Sequence, residues 1–211
     1  MLNMFKKITA SIVASLLVCS MAIAADEYEE GVHYERIVPA QPTSTVNKVE
    51  VLEIFWYGCP HCFRFEPYVE RWLKKMPAEA QFVRLPGVFR PSWEVGARAY
   101  YTAELLGVFE KVHKPLFNAL HLQKRKLNTE DAMRDFFAEQ GVDKKEFIKT
   151  YKSFAVETRL RRAKTMTSRY GIDGVPAVIV NGKYRLSAKS AGSNAEMLKV
   201  INFLVKKESK S

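Results

Sequence analysis

The sequence predicts an α/β fold: a central mixed sheet flanked by helices, with an all-helical segment inserted into it. Three observations carry that reading. Residues 49–57 form a near-continuous apolar run of strong β formers, the composition of a strand covered on both faces. From 93 to 169 the periodicity is helical throughout, enough for four or five helices. Strand signals then return around Asn181-Gly182, and a capped helix closes the chain.

Taken in order, residues 1–25 read as an export signal. Lys6 and Lys7 precede an apolar run over 8–23, and Ala22-Ile23-Ala24 supplies a small-x-small site, so cleavage is expected near Ala24/Ala25. The alternative is a membrane anchor, but the run is short for a span of ~20 residues. The following flank, Asp26-Glu27-Tyr28-Glu29-Glu30, also carries no stop-transfer cluster of Lys or Arg. Residues 32–37 alternate loosely and suggest an edge strand, followed by a loop with Pro39 and Pro42.

The apolar strand ends at Gly58. Phe63, Pro67, Val69, Trp72 and Leu73 then follow at helical spacing, with Pro67 expected to kink the helix. A second short strand is expected over 81–85, closed by Pro86 and Gly87. Within the helical stretch, Asn128 and Asp143 are plausible N-caps, and Gly107 and Gly141 mark helix ends. Residues 177–180 and 183–186 flank Asn181-Gly182 as a hairpin, and Ser193-Asn194-Ala195-Glu196 opens the last helix as a capping box. The expected organisation is a sheet domain from 26–90 and 170–211, with 91–169 as the inserted helical subdomain.

The chain's charge of +10 falls to +8 without Lys6 and Lys7, since the expected signal holds no acidic residue. The basic residues are scattered and not interleaved with aromatics, so nucleic acid is not expected as a partner. Cys19 leaves with the signal, so the mature chain holds only Cys59 and Cys62. A small fold stapled by disulfides needs more cysteines than that. Two cysteines in an oxidising compartment point to reagents.

Cys59-Pro60-His61-Cys62 lies between a strand and a helix. Disulfide exchange needs a thiolate to attack and a second thiol to resolve the mixed disulfide. At a helix start, free N–H groups and the dipole favour negative charge on the first cysteine. Cys59 is therefore the expected attacking thiol and Cys62 the more buried resolving one. Pro60 holds the turn, and His61 can stabilise the thiolate by a hydrogen bond or by its charge. Glu53, in an otherwise apolar strand, would be a costly buried carboxyl with a raised pKa. It would suit proton acceptance from Cys62 during resolution, unless the strand turns it to a solvated edge. A zinc site would need further ligands, and His33, His113 and His121 show no ligand spacing, so they read as surface or partly buried polar residues. No metal and no cofactor beyond the Cys59–Cys62 disulfide is expected.

These residues resemble the DsbA family of bacterial periplasmic thiol:disulfide interchange proteins. The resemblance rests on Tyr28-Glu29-Glu30-Gly31, on Val51-Leu52-Glu53-Ile54-Phe55 leading into the Cys-Pro-His-Cys motif, and on the helical insertion. It rests too on Gly174-Val175-Pro176-Ala177 followed by Val180-Asn181-Gly182-Lys183-Tyr184. It implies a thioredoxin-like fold carrying a helical domain, an unusually acidic active-site cysteine and a strongly oxidising disulfide. It further implies a cis Val175-Pro176 peptide beside the disulfide, whose loop receives an extended substrate peptide by strand addition. Glu53 matches the family's buried acid. Residues 82–90 depart from the family pattern, which leaves the partner of Glu53 and the shape of the groove open. Phe55, Trp56, Tyr57, Phe63 and Phe65 are expected to be mostly core, with one or two exposed to a peptide.

The expected activity is donation of the disulfide to reduced, newly exported proteins through a mixed disulfide at Cys59. A membrane partner of the DsbB type would reoxidise the pair, and a monomer in the periplasm is expected. The rivals are a disulfide isomerase or reductase, which needs a stable dithiol form, and a redox-independent chaperone. Isomerases of this compartment usually carry an added dimerisation domain, for which the segment between Asp26 and Val49 leaves no room.

Overall fold

The computed structural model describes residues 27–210. The expected export signal lies outside the described residues. The sheet runs β1(Glu35–Arg36), β5(Tyr184–Leu186), β4(Ala177–Val180), β2(Val49–Phe55), β3(Ala80–Pro86) from edge to edge. Strand β2 is parallel to β3 and antiparallel to β4, so the sheet is mixed. Every residue of β2 is buried, as its unbroken apolar composition requires of a strand covered on both faces. Ile54 and Phe55 are fully enclosed, and each such side chain contributes roughly 2 kcal/mol. The edge strand expected over 32–37 shrinks to the two residues of β1, because only Glu35 and Arg36 find ladder partners on β5.

One face of the sheet is covered by α1(Pro60–Leu73) and α8(Asn194–Glu208). Phe65, Val69 and Trp72 meet Met197, Val200, Ile201 and Leu204 there, over Val49 and Val51. The other face packs against the inserted helices α2(Glu94–Leu105), α3(Phe109–His121), α4(Glu130–Glu139), α5(Lys144–Tyr151) and α6(Phe154–Arg169). Helix α1 runs through Pro67, which sits on its exposed side. The N-cap of α4 is Thr129 and not Asn128: the Thr129 hydroxyl accepts from the Ala132 N–H at 3.2 Å. Asp143 does cap α5, accepting from Lys145 and Glu146, and Gly107 and Gly141 follow their helices with positive φ.

The β4–β5 turn has φ of 51° at Asn181 and 66° at Gly182, a left-handed pair closed by the Lys183 N–H donating to the Val180 carbonyl at 3.0 Å. Because Val180 stands opposite Tyr184, Lys183 belongs to the turn and not to the returning strand expected from 183. Ser193 caps α8 by accepting from the Glu196 N–H at 3.0 Å, while the Glu196 carboxylate accepts from the Tyr28 hydroxyl at 2.7 Å and pins the early chain to α8. A short helix α7(Ala188–Ala191), not expected from the sequence, precedes it.

Candidate active site

Cys59 is the N-cap of α1, Pro60 its first residue, and Cys62 sits in the first turn. The Cys59 carbonyl accepts the first helical N–H, from Phe63 at 3.1 Å, and its own N–H donates to Trp56 at 2.9 Å. Gly58 makes the entry possible, because the Trp56 ring lies where a Cβ would stand. Trp56 itself stacks on Trp93, 4.2 Å between centroids and 2° from parallel. This stack ties the segment before the motif to the start of the insertion.

Both cysteines are free thiols, Cys62 fully enclosed and Cys59 8% exposed. The Cys59 thiol is lowered from the ordinary 9.0 to about 6, chiefly because the Cys62 thiol donates a hydrogen bond to it. The backbone N–H groups of Cys62 and His61 add to this, and the charge of His61 acts in the same direction last. Burial pushes the Cys62 thiol well above its ordinary value. The two sulfurs are thus chemically unlike although they belong to one turn.

His61 is exposed, and its Nδ1 accepts from Arg64 Nη2 at 2.9 Å. The Val175–Pro176 peptide is cis, Pro176 is buried, and the Cys59 thiol donates to the Val175 carbonyl at 3.2 Å. An open cleft of about 750 Å³ runs beside this loop, lined among others by His61, Arg64, Val175, Pro176, Leu186 and Lys189. Of the aromatics expected near the centre, Phe55, Tyr57 and Phe65 are core, whereas Trp56 and Phe63 are partly exposed.

Glu53 is completely buried on β2, which is flanked by β4 and β3, so the solvated-edge alternative does not occur. Its partner is Arg84, the residue opposite it in the β2–β3 register, whose Nε donates to Glu53 Oε2 at 3.1 Å. Arg84 Nη2 also donates to Glu66 Oε2 at 3.0 Å, from the buried face of α1. Burial, and after it the nearby Glu66 charge, raises the Glu53 carboxyl. Sequence reasoning missed Glu66, although it lies four residues after Cys62 on the apolar stripe of α1.

His113 corrects an expectation. Expected at the surface or partly buried, it is almost wholly enclosed, with Tyr57 Oη 2.8 Å from its Nδ1 and Glu66 Oε1 3.3 Å from its Nε2. His121, eight residues on, donates from Nε2 to the Tyr57 carbonyl at 2.7 Å and stacks on Phe63. Among the described residues no group of three or more His, Cys, Asp or Glu side chains is placed to hold a metal ion.

An acidic thiol at a helix start, beside a fully enclosed second thiol, in a sheet of this topology, defines a thiol–disulfide oxidoreductase of the thioredoxin-like class. Residues 50–199 match the model of the DSBA-like thioredoxin domain. The thiol:disulfide interchange protein DsbA of Pseudomonas aeruginosa is 42% identical over 201 residues, 95% of each chain, and that of Burkholderia cepacia is 41% identical over 204 residues, 95% of this chain and 96% of the other. The crystal structure of Pseudomonas aeruginosa DsbA superposes with a TM-score of 0.84 at 44% identity, covering 88% of this chain and 97% of the other. The oxidoreductase DsbA from Xylella fastidiosa gives 0.81 at 29% identity, with 87% and 99% covered. The chain belongs to the DsbA family, and it is a thiol:disulfide oxidoreductase acting on proteins.

Proposed function

We propose that the protein oxidises reduced, newly exported proteins in the periplasm, with Cys59 as the exchanging thiol, Cys62 as its resolving partner and no added cofactor. The observation that carries this reading is the split between the two thiols, with Cys59 at about 6 and Cys62 well above the ordinary range. A stabilised Cys59 thiolate favours the reduced pair, and whatever favours the reduced pair makes the disulfide the stronger oxidant.

A substrate thiolate attacks Cys59 Sγ, the Cys59–Cys62 bond breaks, and Cys62 leaves as a thiolate. Glu53, whose charge raises the Cys62 thiol, gives Cys62 its proton in this direction. The substrate's second thiolate then attacks its own sulfur of the mixed disulfide, and Cys59 leaves as a thiolate. For reoxidation by a membrane partner of the DsbB type, the Cys59 thiolate attacks the partner's disulfide and expels one partner thiolate. Cys62, its proton taken by Glu53, then attacks Cys59 Sγ, re-forming the Cys59–Cys62 bond and releasing the partner's second thiolate. Pro60 and His61 shape the helix start, and the Val175–Pro176 loop offers the substrate backbone its pairing edge. The residues expected to direct export, and the single-copy working form, belong to the same reading. Among the described residues no helix is long and apolar enough to cross a membrane.

The test is the redox equilibrium of Cys59–Cys62 against a glutathione series, followed by tryptophan fluorescence. A pair that stays reduced until the buffer is strongly oxidising supports the oxidant. A pair already oxidised in strongly reducing buffer overturns it in favour of a reductase. Cys59→Ser abolishes the activity of an oxidant and leaves that of a chaperone intact.

A further inference from the structure

Beneath Cys62 the interior holds two carboxyls, Glu53 and Glu66, on one guanidinium, Arg84. With all three ionised the cluster carries an uncompensated buried negative charge, which is costly, so one proton is retained between the two carboxyls. Where that proton resides decides whether Glu53 can deliver it to Cys62.

Tyr57 and His113 bear on that choice. Burial pushes the Tyr57 hydroxyl well up, so it stays a donor, and pushes His113 well down, so its ring is neutral. Among the described residues the Tyr57 hydroxyl has no other side-chain hydrogen bond than that to Nδ1, 2.8 Å away; with Tyr57 as the donor there, the single ring proton of His113 sits on Nε2. His113 Nε2 lies 3.3 Å from Glu66 Oε1 without the alignment of a hydrogen bond, and both atoms are buried with no hydrogen-bond partner among the described residues, so each is the nearest available complement of the other. Glu66 thus has one hydrogen bond, from Arg84 to Oε2, and the His113 ring nitrogen 3.3 Å from its Oε1. Glu53 has one from Arg84, and its Oε1 is buried with none.

The remaining charges act on the Glu66 side. Burial raises the Glu66 carboxyl, the Arg84 charge opposes this, Glu70 on α1 adds to it, and Lys114 on α3, paired with Glu70 at 2.9 Å, works against it. Glu110 on α3 faces His113, and on α2 the Tyr100 hydroxyl donates to Glu104 at 2.7 Å.

We propose that His113 is a positioning residue for the disulfide reaction, holding Glu66 ionised so that the proton shared by the buried carboxyl pair resides on Glu53 Oε1. This deepens, and rests on, the reading of Glu53 as the proton source for Cys62. Removing the His113 donor lets the proton move to Glu66. Glu53 is then left as an ionised partner of Arg84 with nothing to give.

The experiment is the rate of reduction of the oxidised protein by dithiothreitol between pH 5 and 9, followed by tryptophan fluorescence and corrected for the dithiothreitol thiolate fraction. In the parent protein the corrected rate falls as pH rises through the Glu53 titration. His113→Leu moves that midpoint down by about one pH unit, a tenfold change in the proton equilibrium. His113→Gln, whose amide can still donate to Glu66, keeps it near the parent value. Glu66→Gln removes the charge that raises Glu53 and moves the midpoint down independently, should His113→Leu fail to fold. The Cys59 thiolate midpoint, read at 240 nm, stays fixed in all three. A midpoint unmoved in either His113→Leu or Glu66→Gln overturns the role of His113, as does a shift that His113→Gln reproduces. A parent rate with no falling limb overturns the Glu53 proton source beneath it.

Discussion

Cys59 and Cys62 are the same residue type three positions apart, yet their thiols titrate in opposite directions. The cause is a single donor: the Cys62 thiol, kept protonated by burial, hydrogen-bonds the Cys59 thiolate and lowers it more than any other group does. Thiolate absorbance at 240 nm is expected to titrate with a midpoint near 6, from Cys59 alone. Cys62→Ala removes the principal donor, and the Cys59 midpoint is expected to rise by more than one pH unit. A midpoint that stays put would assign the effect to the backbone N–H groups of α1 and the charge of His61. The histidine between the cysteines is a lesser contributor, because it lies exposed and its Nδ1 is taken by Arg64.

The elements position these side chains through local chemistry. Helix α1 begins with Cys59 as a cap that makes no side-chain cap bond, so the first-turn N–H groups remain available to the thiolate. The β4–β5 hairpin fixes the register that carries the Val175–Pro176 loop to the active site, since β4 starts at the residue after Pro176. Gly182 in its turn has positive φ, and a Cβ there would run into the Gln41 backbone carbonyl. Gly182→Ala is therefore expected to cost about 2 kcal/mol or more, combining a left-handed penalty with the displaced 39–42 loop. Urea unfolding measures it, and a loss below about 0.5 kcal/mol would mean that the turn and loop move apart freely.

At the scale of the molecule, the thiolate links redox state to stability. Cys59 in the reduced fold is lowered from 9.0 to about 6, and the disulfide form has no such group. A lowered acid adds stability that is fully present above its unfolded value and is lost as pH falls through its folded value. The melting temperature of the reduced protein relative to the oxidised one is thus expected to climb between pH 6 and 9 and to level off below 5. Paired thermal melts across that range test it. A difference that does not change with pH would sever the link between the thiolate and the driving force for oxidation.

The features built from neighbours along the chain are legible before any fold is known. The β2 strand, the Cys-Pro-His-Cys motif at a helix start, the Asn181-Gly182 hairpin and the Asp143 and Ser193 caps follow from apolar runs, turn residues and capping side chains. Each of these acts over a few residues, so their spacing is legible without a fold. One local expectation fell to an equally local competitor, Thr129 displacing Asn128 as a cap, whereas the 32–37 strand shrank for a long-range reason, since only Glu35 and Arg36 pair with β5. The burial of Glu53 was also legible, because a lone carboxyl stands out in an apolar strand.

What that carboxyl faces is set by packing between distant parts of the chain. Arg84 arrives through a parallel register 31 residues away, and Tyr57 meets His113 across 56. His113 looks like any polar residue on an amphipathic helix until α3 is packed against the sheet. The reason is that a buried charge is defined by the partners that desolvate and neutralise it, and those partners are assembled only by long-range packing.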